Sequence, residues 1–361
     1  MDCDYFCESN FISRENFFII ILLNCKFVMN KIGFWIDNAR TIALPQSILP
    51  ALFAISLGAM HEGFSWWMAI VALLGIICAH LGFNLADDYF DYKVGSADKR
   101  EALNGEGFRA RMHKYPYITS GQATVTELRN AVIVFLAIAV VCGLVILYFR
   151  GWPIALIMAI GGVLGVSYSG GPLKLGYHGY GELVIGIMFG VLLMIGMQYA
   201  VCGVFDWNVV LLSVAVGMLV TNIVYTHSVI DIVADEKADK MTFARVLGTP
   251  KRQLAASALF CLLPFLCIFI GVAVGVFHWA YLVVALLLPM AVFLWRSVKK
   301  FVYNEPEDMI IKFWMGPMGN WEGYKKAGLD WFLFRWLMAR NLVTFFCLFL
   351  VIVNIVLSIL K

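Results

Sequence analysis

Long apolar runs separated by short polar segments make up most of this chain. Each run is roughly 20 residues long, the length that an α-helix needs to cross about 30 Å of hydrocarbon. A large soluble core would show shorter apolar stretches interrupted by polar faces. The pattern therefore predicts an all-α integral membrane protein with about nine transmembrane helices, at roughly residues 41–60, 65–86, 130–149, 152–169, 182–202, 207–227, 254–276, 279–296 and 339–360.

The composition agrees with this class. Hydrophobic residues make up 61% of the chain and charged residues 14%, whereas soluble domains carry about 45–50% and about 25%. The net charge of +3 gives no reason to expect a nucleic-acid partner. The nine cysteines show neither a C-x-x-C pair nor a metal-ligand spacing, so disulfides are not expected.

The distribution of basic residues predicts an orientation. Lys and Arg concentrate in residues 93–129, 237–252 and 296–340, while the intervening turns carry none apart from Arg150. With nine spans, the three basic segments fall on one side of the membrane, which the positive-inside rule makes cytoplasmic. The N-terminus is then expected inside and the C-terminus outside.

Residues 1–28 do not fit the rest of the pattern. Their apolar stretch at 17–23 is too short to span a bilayer, and no small-residue cleavage site follows it. Met29 begins an alternative start. We therefore expect residues 1–28 to be an extension without function and residues 29–361 to form a single membrane domain.

Two groups of carboxylates interrupt the apolar pattern at span ends on the predicted cytoplasmic side. Ionisable residues near membrane depth are costly, so their presence indicates function. Like charges one helical turn apart repel unless a cation lies between them. Mg²⁺ typically binds one or two carboxylates and completes its shell with water and substrate phosphate oxygens. A single D-x-x-x-D motif usually marks a solvated helix end, but two such motifs on the same side of the membrane favour a metal–diphosphate site. The first carboxylate group comprises Asn84, Asp87, Asp88 and Asp91, and the second comprises Asp231, Asp235 and Asp239.

Three lysines near these groups are candidate partners for phosphate oxygens. Lys174 lies in a glycine-rich loop after the fourth span, and Lys93 and Lys240 follow the two carboxylate groups. Each is also consistent with a basic residue at the membrane interface. His80 and His227, one turn before the carboxylate groups, are more consistent with hydrogen-bonded helix histidines than with ligands.

These motifs resemble the UbiA superfamily of membrane prenyltransferases over about residues 31–300. The first motif, N-L-A-D-D-Y-F-D-Y-K-x-G, is most similar to that of the 1,4-dihydroxy-2-naphthoate branch. Three other stretches are also similar to that branch: W-I-D-N-A-R-T-I-A-L-P-Q-S, G-G-P-L-K-L-G-Y-H-G-Y-G-E and D-K-M-T-F-A-R-V-L-G. One departure is the second motif, usually N-N-x-R-D, which here reads H-S-V-I-D and ends at Asp231. The loop at 296–340 also looks longer than usual.

The resemblance implies a UbiA-type bundle around a central cavity, in a bacterial inner membrane. It implies transfer of a polyprenyl group from polyprenyl diphosphate to an aromatic acceptor, 1,4-dihydroxy-2-naphthoate, giving demethylmenaquinone. The resemblance implies that two Mg²⁺ ions are held by four carboxylates, Asp87, Asp91, Asp231 and Asp235. It implies that Lys174 binds the diphosphate and that the ring of Tyr168 stabilises an allylic cation. The other residues that it implies for substrate binding are Asn84, Asp88, Lys93 and Lys240. Tyr168 is equally consistent with an interfacial aromatic anchor.

Three alternatives are compatible with the sequence. The acceptor of a related prenyltransferase would be 4-hydroxybenzoate, a haem or a glycerol phosphate lipid. An ion-coupled transporter would carry its carboxylates in mid-span, whereas here they lie at span ends. The altered second motif would also suit a non-catalytic membrane scaffold.

Overall fold

The computed structural model describes residues 31–93 and 115–360. Within these ranges nine helices are long and apolar enough to cross a bilayer, which confirms the predicted all-α membrane architecture. The expected extension at 1–28 and the basic residues between 94 and 114 lie outside the described residues. In chain order the spanning helices are α1 (Thr41–Gly58), α2 (Trp66–Lys93), α3 (Val125–Arg150), α4 (Trp152–Ser169), α5 (Gly181–Cys202), α6 (Trp207–Ile230), α7 (Pro250–Ala273), α8 (Trp279–Val302) and α9 (Asp330–Leu360).

The first turns of α9 differ from the predicted span. The helix begins at Asp330 rather than near residue 339, because its two arginines are satisfied inside the protein. Arg335 binds Glu307 at 2.6 Å and donates from Nε to the Ser297 carbonyl at 3.1 Å. Arg340 donates to the carbonyl of Pro317 at 2.9 Å. Hydropathy alone predicts that the span stops at these two arginines. The helix includes both of them because each has hydrogen-bond partners inside the protein.

Local sequence signals account for several helix starts. Thr124 and Glu127 form a capping box at the start of α3, each side chain bonding to the other's backbone N–H. Asp206 caps α6 by accepting from the Asn208 N–H at 2.8 Å. Pro50 and Pro264 lie inside α1 and α7, a placement that neighbouring helices make tolerable in membrane proteins.

The helices differ widely in how deeply they are buried. In the most apolar 18-residue stretch of α6, 72% of the residues are buried, whereas the share in the corresponding stretch is 11% in α3 and 17% in α4. Large, fully buried side chains on the neighbouring helices, such as Phe53, Phe265 and Phe346, belong to the same core cluster as Leu219 of this central helix. The bundle therefore has α6 at its centre and α3 and α4 at its lipid-facing edge.

Exposed tryptophans mark one end of the bundle. Arg150 lies at the same end, where it donates to the carbonyls of Ala200 and Val201 at 2.8 Å each. These bonds tie the end of α3 to the end of α5 and explain why Arg150 lies there. We call this the tryptophan end, because four helices begin there with an exposed indole at Trp66, Trp152, Trp207 and Trp279. Aromatic residues of this kind are enriched at membrane–water interfaces.

Candidate active site

A cavity of about 490 Å³ lies at the opposite end of the bundle, which we call the carboxylate end because it holds Asp87, Asp88, Asp91, Asp231 and Asp235. Asp91 and Asp231 are 1% exposed each and are not among the residues that line the cavity. Lys93 and Lys174 also lie outside that lining. Six of the predicted site residues do line the cavity, namely Asn84, Asp87, Asp88, Tyr168, Asp235 and Lys240.

Arg40 connects the first carboxylate group to the start of α1. Its guanidinium donates from Nη1 to Asp87 at 3.0 Å and from Nη2 to Asp88. The Arg40 backbone is in the left-handed region at φ 59°, which is unusual for a non-glycine residue. Asn84 supports this turn by donating from Nδ2 to the Ala39 carbonyl at 2.9 Å. Burial works to lower the pKa of Arg40, but the Asp88 and Asp87 carboxylates outweigh it and hold that pKa above its usual value.

Hydroxyl groups orient the carboxylates of α2. Tyr117, in the short segment before α3, donates its phenol proton to Asp88 at 2.8 Å. Ser169, the last residue of α4, donates to Asp87, and Tyr177 donates to Asp91. Burial raises the pKa of Tyr117 and of Tyr177, and the adjacent carboxylates raise both further. Both phenols therefore stay protonated and act as donors.

Lys240 is the lysine that faces the cavity. Its ammonium lies 5.4 Å from the centroid of the Tyr177 ring. Burial works to lower its pKa, but Tyr168 and the carboxylates of Asp91, Asp235 and Asp87 hold the pKa above its usual value. Lys240 therefore stays charged at the point where the two carboxylate groups meet.

Two loops hold Lys240 in place. The Met241 N–H donates to the Tyr177 carbonyl at 3.3 Å, and His178 and Met241 form an isolated parallel bridge. Glu182, at the start of α5, accepts from the Phe243 N–H at 3.0 Å. The loop that contains Lys174 is thus joined to the segment that follows the second carboxylate group.

The second carboxylate group does not continue along one helix. The helix α6 ends at Ile230, and Asp231 lies in the turn before a short helix, Ile232–Lys237, that carries Asp235. Asp239 follows this short helix in the left-handed region at φ 54° and is exposed. The three aspartates therefore do not share one helix face as their spacing predicted. Asp231 lies 3.6 Å from Nε2 of His227, which stands one turn earlier.

The rest of the cavity wall is largely apolar. The start of α9 and the segment before it close one side, so the long 303–329 segment forms part of the wall. Phe332 also contacts the His227 ring, with centroids 5.1 Å apart. The apolar lining from these and the neighbouring helices includes Ile42, Phe83, Met188, Phe189, Leu329, Phe332, Leu333 and Trp336.

The donor set is suited to a hard cation shared with a ligand. In the part of the chain that the structure describes, no three His, Cys, Asp or Glu side chains lie close enough to hold a metal ion by themselves. Mg²⁺ does not need such a cage, because it commonly binds one or two carboxylates plus waters and substrate phosphates. Carboxylates from two segments, with Asp87 and Asp235 on the cavity surface, fit that requirement.

Sequence reasoning missed three residues of this site. Arg40 was quoted only within a similar stretch, although it is the only Lys or Arg between Lys31 and Lys93 and stands at the start of an apolar span. The isolation of Arg40 from other basic residues was the feature of the sequence that could have identified it. No such feature marks Tyr117 or Tyr177, because tyrosines near span ends are common as interfacial anchors.

Comparison with known proteins agrees with the geometry. The chain matches the UbiA prenyltransferase family over residues 47–321. It is 30% identical over 222 residues to the 1,4-dihydroxy-2-naphthoate octaprenyltransferase of Mycobacterium tuberculosis, covering 61% of this chain and 72% of that protein. It is 29% identical to the 2-carboxy-1,4-naphthoquinone phytyltransferase of Synechocystis, covering 74% and 82%.

A solved structure shares the fold. The UbiA homolog from Archaeoglobus fulgidus bound to GPP and Mg²⁺ superposes with a TM-score of 0.55 at 14% identity, covering 86% of this chain and 99% of the other. The family match extends over most of the sequence and includes both carboxylate groups. This chain therefore belongs to the UbiA prenyltransferase family.

Proposed function

We propose that this prenyltransferase moves a polyprenyl group from a polyprenyl diphosphate to 1,4-dihydroxy-2-naphthoate with Mg²⁺ as cofactor. The supporting observation is the arrangement of two carboxylate groups and two cations, Arg40 and Lys240, around one cavity with an apolar wall. The relatives named for naphthoate acceptors support the acceptor, and the archaeal homolog bound to GPP and Mg²⁺ supports the donor and the metal.

The metal ligands that we propose are Asp87 and Asp91 from α2 together with Asp231 and Asp235 from the second group. These carboxylates would hold Mg²⁺, which would supply positive charge to offset the negative charge on the departing diphosphate. Ser169 and Tyr177 hold the carboxylates of Asp87 and Asp91 in fixed orientations.

Arg40 and Lys240 act directly on the donor. Both stay charged and both line the cavity, so they donate to diphosphate oxygens and stabilise the charge that forms there. Fixed cations are most effective where water is excluded. The apolar wall contributed by Phe332, Leu333 and Trp336 provides that exclusion.

The bonds change in a balanced sequence. The C–O bond between the allylic carbon and the diphosphate breaks, and its electron pair leaves with the diphosphate. The ring of Tyr168, which lines the cavity, faces the resulting allylic cation. The acceptor carbon that bears the carboxylate then forms the new C–C bond, and CO₂ leaves while its bonding electrons restore the aromatic ring. The product is the hydroquinone form of demethylmenaquinone.

An acceptor panel tests this proposal. Purified protein in lipid is supplied with octaprenyl diphosphate, Mg²⁺ and either 1,4-dihydroxy-2-naphthoate or 4-hydroxybenzoate, and the prenylated products are quantified. We expect product only with the naphthoate, loss of product with a chelator, and recovery with added Mg²⁺. Preferential prenylation of 4-hydroxybenzoate would reject the acceptor, and chelator-resistant transfer would reject the metal.

Two variants and a matched control test the carboxylates. Asp87→Asn and Asp231→Asn remove charge with little change in size, and each is expected to lower kcat by roughly 10²-fold or more. Asp206→Asn is the control, because it removes a carboxylate at the tryptophan end and Asn still caps a helix. Unchanged transfer in both test variants would contradict the proposed ligand set.

We also propose that the carboxylate end faces the cytoplasm. The basic segments 237–252 and 296–340 support this, since they lie at that end. A reporter fused after α9 would then be outside, at the tryptophan end. We expect such a fusion of alkaline phosphatase to be active in a bacterial host and a fusion of green fluorescent protein to be dark; the reverse pattern contradicts the orientation.

A further inference from the structure

The 303–329 segment, which joins α8 to α9, is held against the bundle at its middle. The Asn341 side chain on α9 donates from Nδ2 to the carbonyl of Met315 at 2.7 Å, and Met315 itself is fully buried. The indole of Trp314 packs edge-on against the ring of Phe293 on α8, with the ring centroids 5.2 Å apart. This stretch therefore has a fixed position on the two helices that it connects.

Two large apolar side chains next to this fixed stretch are exposed. Phe313 is 97% exposed, the highest value for a large apolar side chain in the described ranges, and Ile310 is 65% exposed. Contact between water and this much apolar surface is unfavourable. The pair is therefore suited to a surface that removes both side chains from water.

The helix rise places the fixed stretch near the hydrocarbon boundary at the carboxylate end. From Trp279 at the tryptophan end, eight steps of 3₁₀-helix and six of α-helix lead to Phe293, a rise of roughly 25 Å at about 2.0 and 1.5 Å per residue. On α9, Asn354 accepts from Tyr281 near the tryptophan end, and Asn341 lies 13 residues earlier, a rise of roughly 20 Å. Since the hydrocarbon is roughly 30 Å thick, both contact points of the segment lie close to its far boundary.

The same segment supplies part of the cavity wall. Tyr324 and Leu329 line the cavity, and the Leu329 N–H donates to the Tyr324 carbonyl at 2.9 Å. Gly319 connects this part to the fixed stretch, because its φ is 63° and a Cβ there would come within 2.8 Å of the Tyr324 hydroxyl. Displacement of the fixed stretch would therefore displace the cavity wall as well.

The charges of the segment indicate which lipids it requires. Residues 303–329 carry three lysines and four carboxylates, so they lack the cluster of basic residues that attracts a protein to anionic lipid. The apolar pair is then what favours contact with a bilayer. Zwitterionic lipid is therefore sufficient for that contact.

We propose that the 303–329 segment is an interfacial anchor, in which Phe313 and Ile310 enter the headgroup boundary of the bilayer. This contact holds Tyr324 and Leu329 in the cavity wall. Aromatic side chains favour the membrane–water interface, and the depth of the fixed stretch places Phe313 at that level. The anchor does not depend on the substrate that the cavity takes, and it makes the shape of the cavity depend on the surrounding bilayer.

Photocross-linking tests where the segment lies. p-Benzoylphenylalanine, which reacts with nearby C–H bonds, replaces Phe313 in one preparation and Glu322 in a matched control, where the side chain is 76% exposed on the same segment. The control position lies roughly 10 Å farther from the hydrocarbon, because the adjacent Trp321 packs against Phe334, seven residues before Asn341 on α9. Each protein is reconstituted in phosphatidylcholine vesicles, irradiated and digested, and its peptides are analysed by mass spectrometry.

We expect lipid adducts at position 313 to exceed those at position 322 by roughly tenfold, the partition that removing a large apolar side chain from water provides. Equal yields at the two positions overturn the inference. A cross-link from position 313 to a second copy of this chain also overturns it, because the apolar pair is then a protein–protein contact.

Amide hydrogen exchange in the same vesicles tests the coupling to the cavity wall. Phe313→Ser removes the aromatic ring, Phe313→Leu keeps an apolar side chain, and Phe205→Ser removes an aromatic ring that is 47% exposed at the tryptophan end. We expect exchange in residues 319–329 to become roughly tenfold faster in Phe313→Ser, because lipid contact no longer opposes local opening. Ile310→Ser should act in the same direction, and the other two variants should stay close to the starting protein.

Unchanged exchange in Phe313→Ser overturns the inference. Faster exchange throughout α6 does so too, since that is the result for general unfolding. Neither measurement uses a substrate, so a failure of the proposed function in the acceptor panel would leave both results intact.

Discussion

Arg40 donates from Nη1 to Oδ2 of Asp87 at 3.0 Å across 47 residues of sequence. The contact ties the turn before α1 to the end of α2 and leaves a charged group on the cavity surface beside a proposed metal ligand. Together with the second bond to Asp88, it places Arg40 at the centre of the carboxylate end.

Removing the Arg40 charge should impair catalysis more than folding. Arg40→Gln is expected to lower kcat/KM by about 10²-fold, the typical effect of losing one donor to a developing anion. Arg40→Lys should restore only part of the activity, because an ammonium does not reproduce the two-pronged geometry of a guanidinium. Steady-state kinetics with varied prenyl diphosphate measures both. Lys31→Gln, on the same N-terminal segment but in an exposed pair with Glu127, is the control; equal effects at the two positions would argue against a role in the site.

Lys240 is expected to bind the donor more strongly than the other two candidate lysines. Lys240→Met should raise the KM for the prenyl diphosphate by roughly tenfold, since a charge-assisted hydrogen bond contributes more than a neutral one. Lys93 lies at the end of α2 with its ammonium 4.6 Å from the Tyr89 ring centroid, and Lys174 lies in the loop before α5, so smaller effects are expected there. Donor titrations compare the three variants with Lys251→Met at an exposed position on α7. A larger effect at Lys174 than at Lys240 would reverse this order.

A polar network inside the membrane should contribute to stability without affecting chemistry. Asn354 on α9 accepts from the Tyr281 hydroxyl at 2.6 Å and donates to Ser56 on α1 at 2.9 Å. Asn354→Leu is expected to destabilise the fold by about 1 kcal/mol, within the range measured for hydrogen bonds between membrane helices. Thermal unfolding in detergent measures the change, and Ile355→Leu on the lipid-facing side is the control. The idea fails if both variants unfold at the temperature of the starting protein.

The buried pair of Arg335 and Glu307 should show strong coupling. Glu307→Gln leaves the Arg335 charge buried without its carboxylate and is expected to cost roughly 3–5 kcal/mol. The double change Arg335→Met with Glu307→Leu should recover most of that loss, because no charge is then left uncompensated. A double-mutant cycle on the free energy of unfolding measures the coupling, and additive single effects would contradict it.

The membrane fold could be predicted from the sequence because each segment that crosses the hydrocarbon must be an apolar helix of roughly 20 residues. The sequence did not predict the first turns of α9, because Arg335 and Arg340 are hydrogen-bonded to residues distant along the chain. The end of α6 just before Asp231 was not predicted either, for another reason. No proline or glycine marks the end of α6, so the spacing of the aspartates looked like one continuous helix.

The candidate site could be predicted where polar residues interrupt an apolar background. Asp87 and Asp235 stood out for that reason, and both line the cavity. Arg40 and Tyr117 reach the same carboxylates from separate segments, and nothing in linear spacing reports such a convergence.

The tryptophan end fixes the depth at which the reaction takes place. Asp87 lies 21 residues after Trp66 along α2, which at about 1.5 Å per residue spans roughly 32 Å, close to the roughly 30 Å thickness of hydrocarbon. With the indoles at one interface, the carboxylates lie at the level of the lipid headgroups on the other. An amphiphile already dissolved in the bilayer then presents its head at the right height and only has to diffuse sideways. Activity should therefore depend on acyl-chain length in reconstituted membranes, with an optimum where the hydrocarbon thickness matches this span.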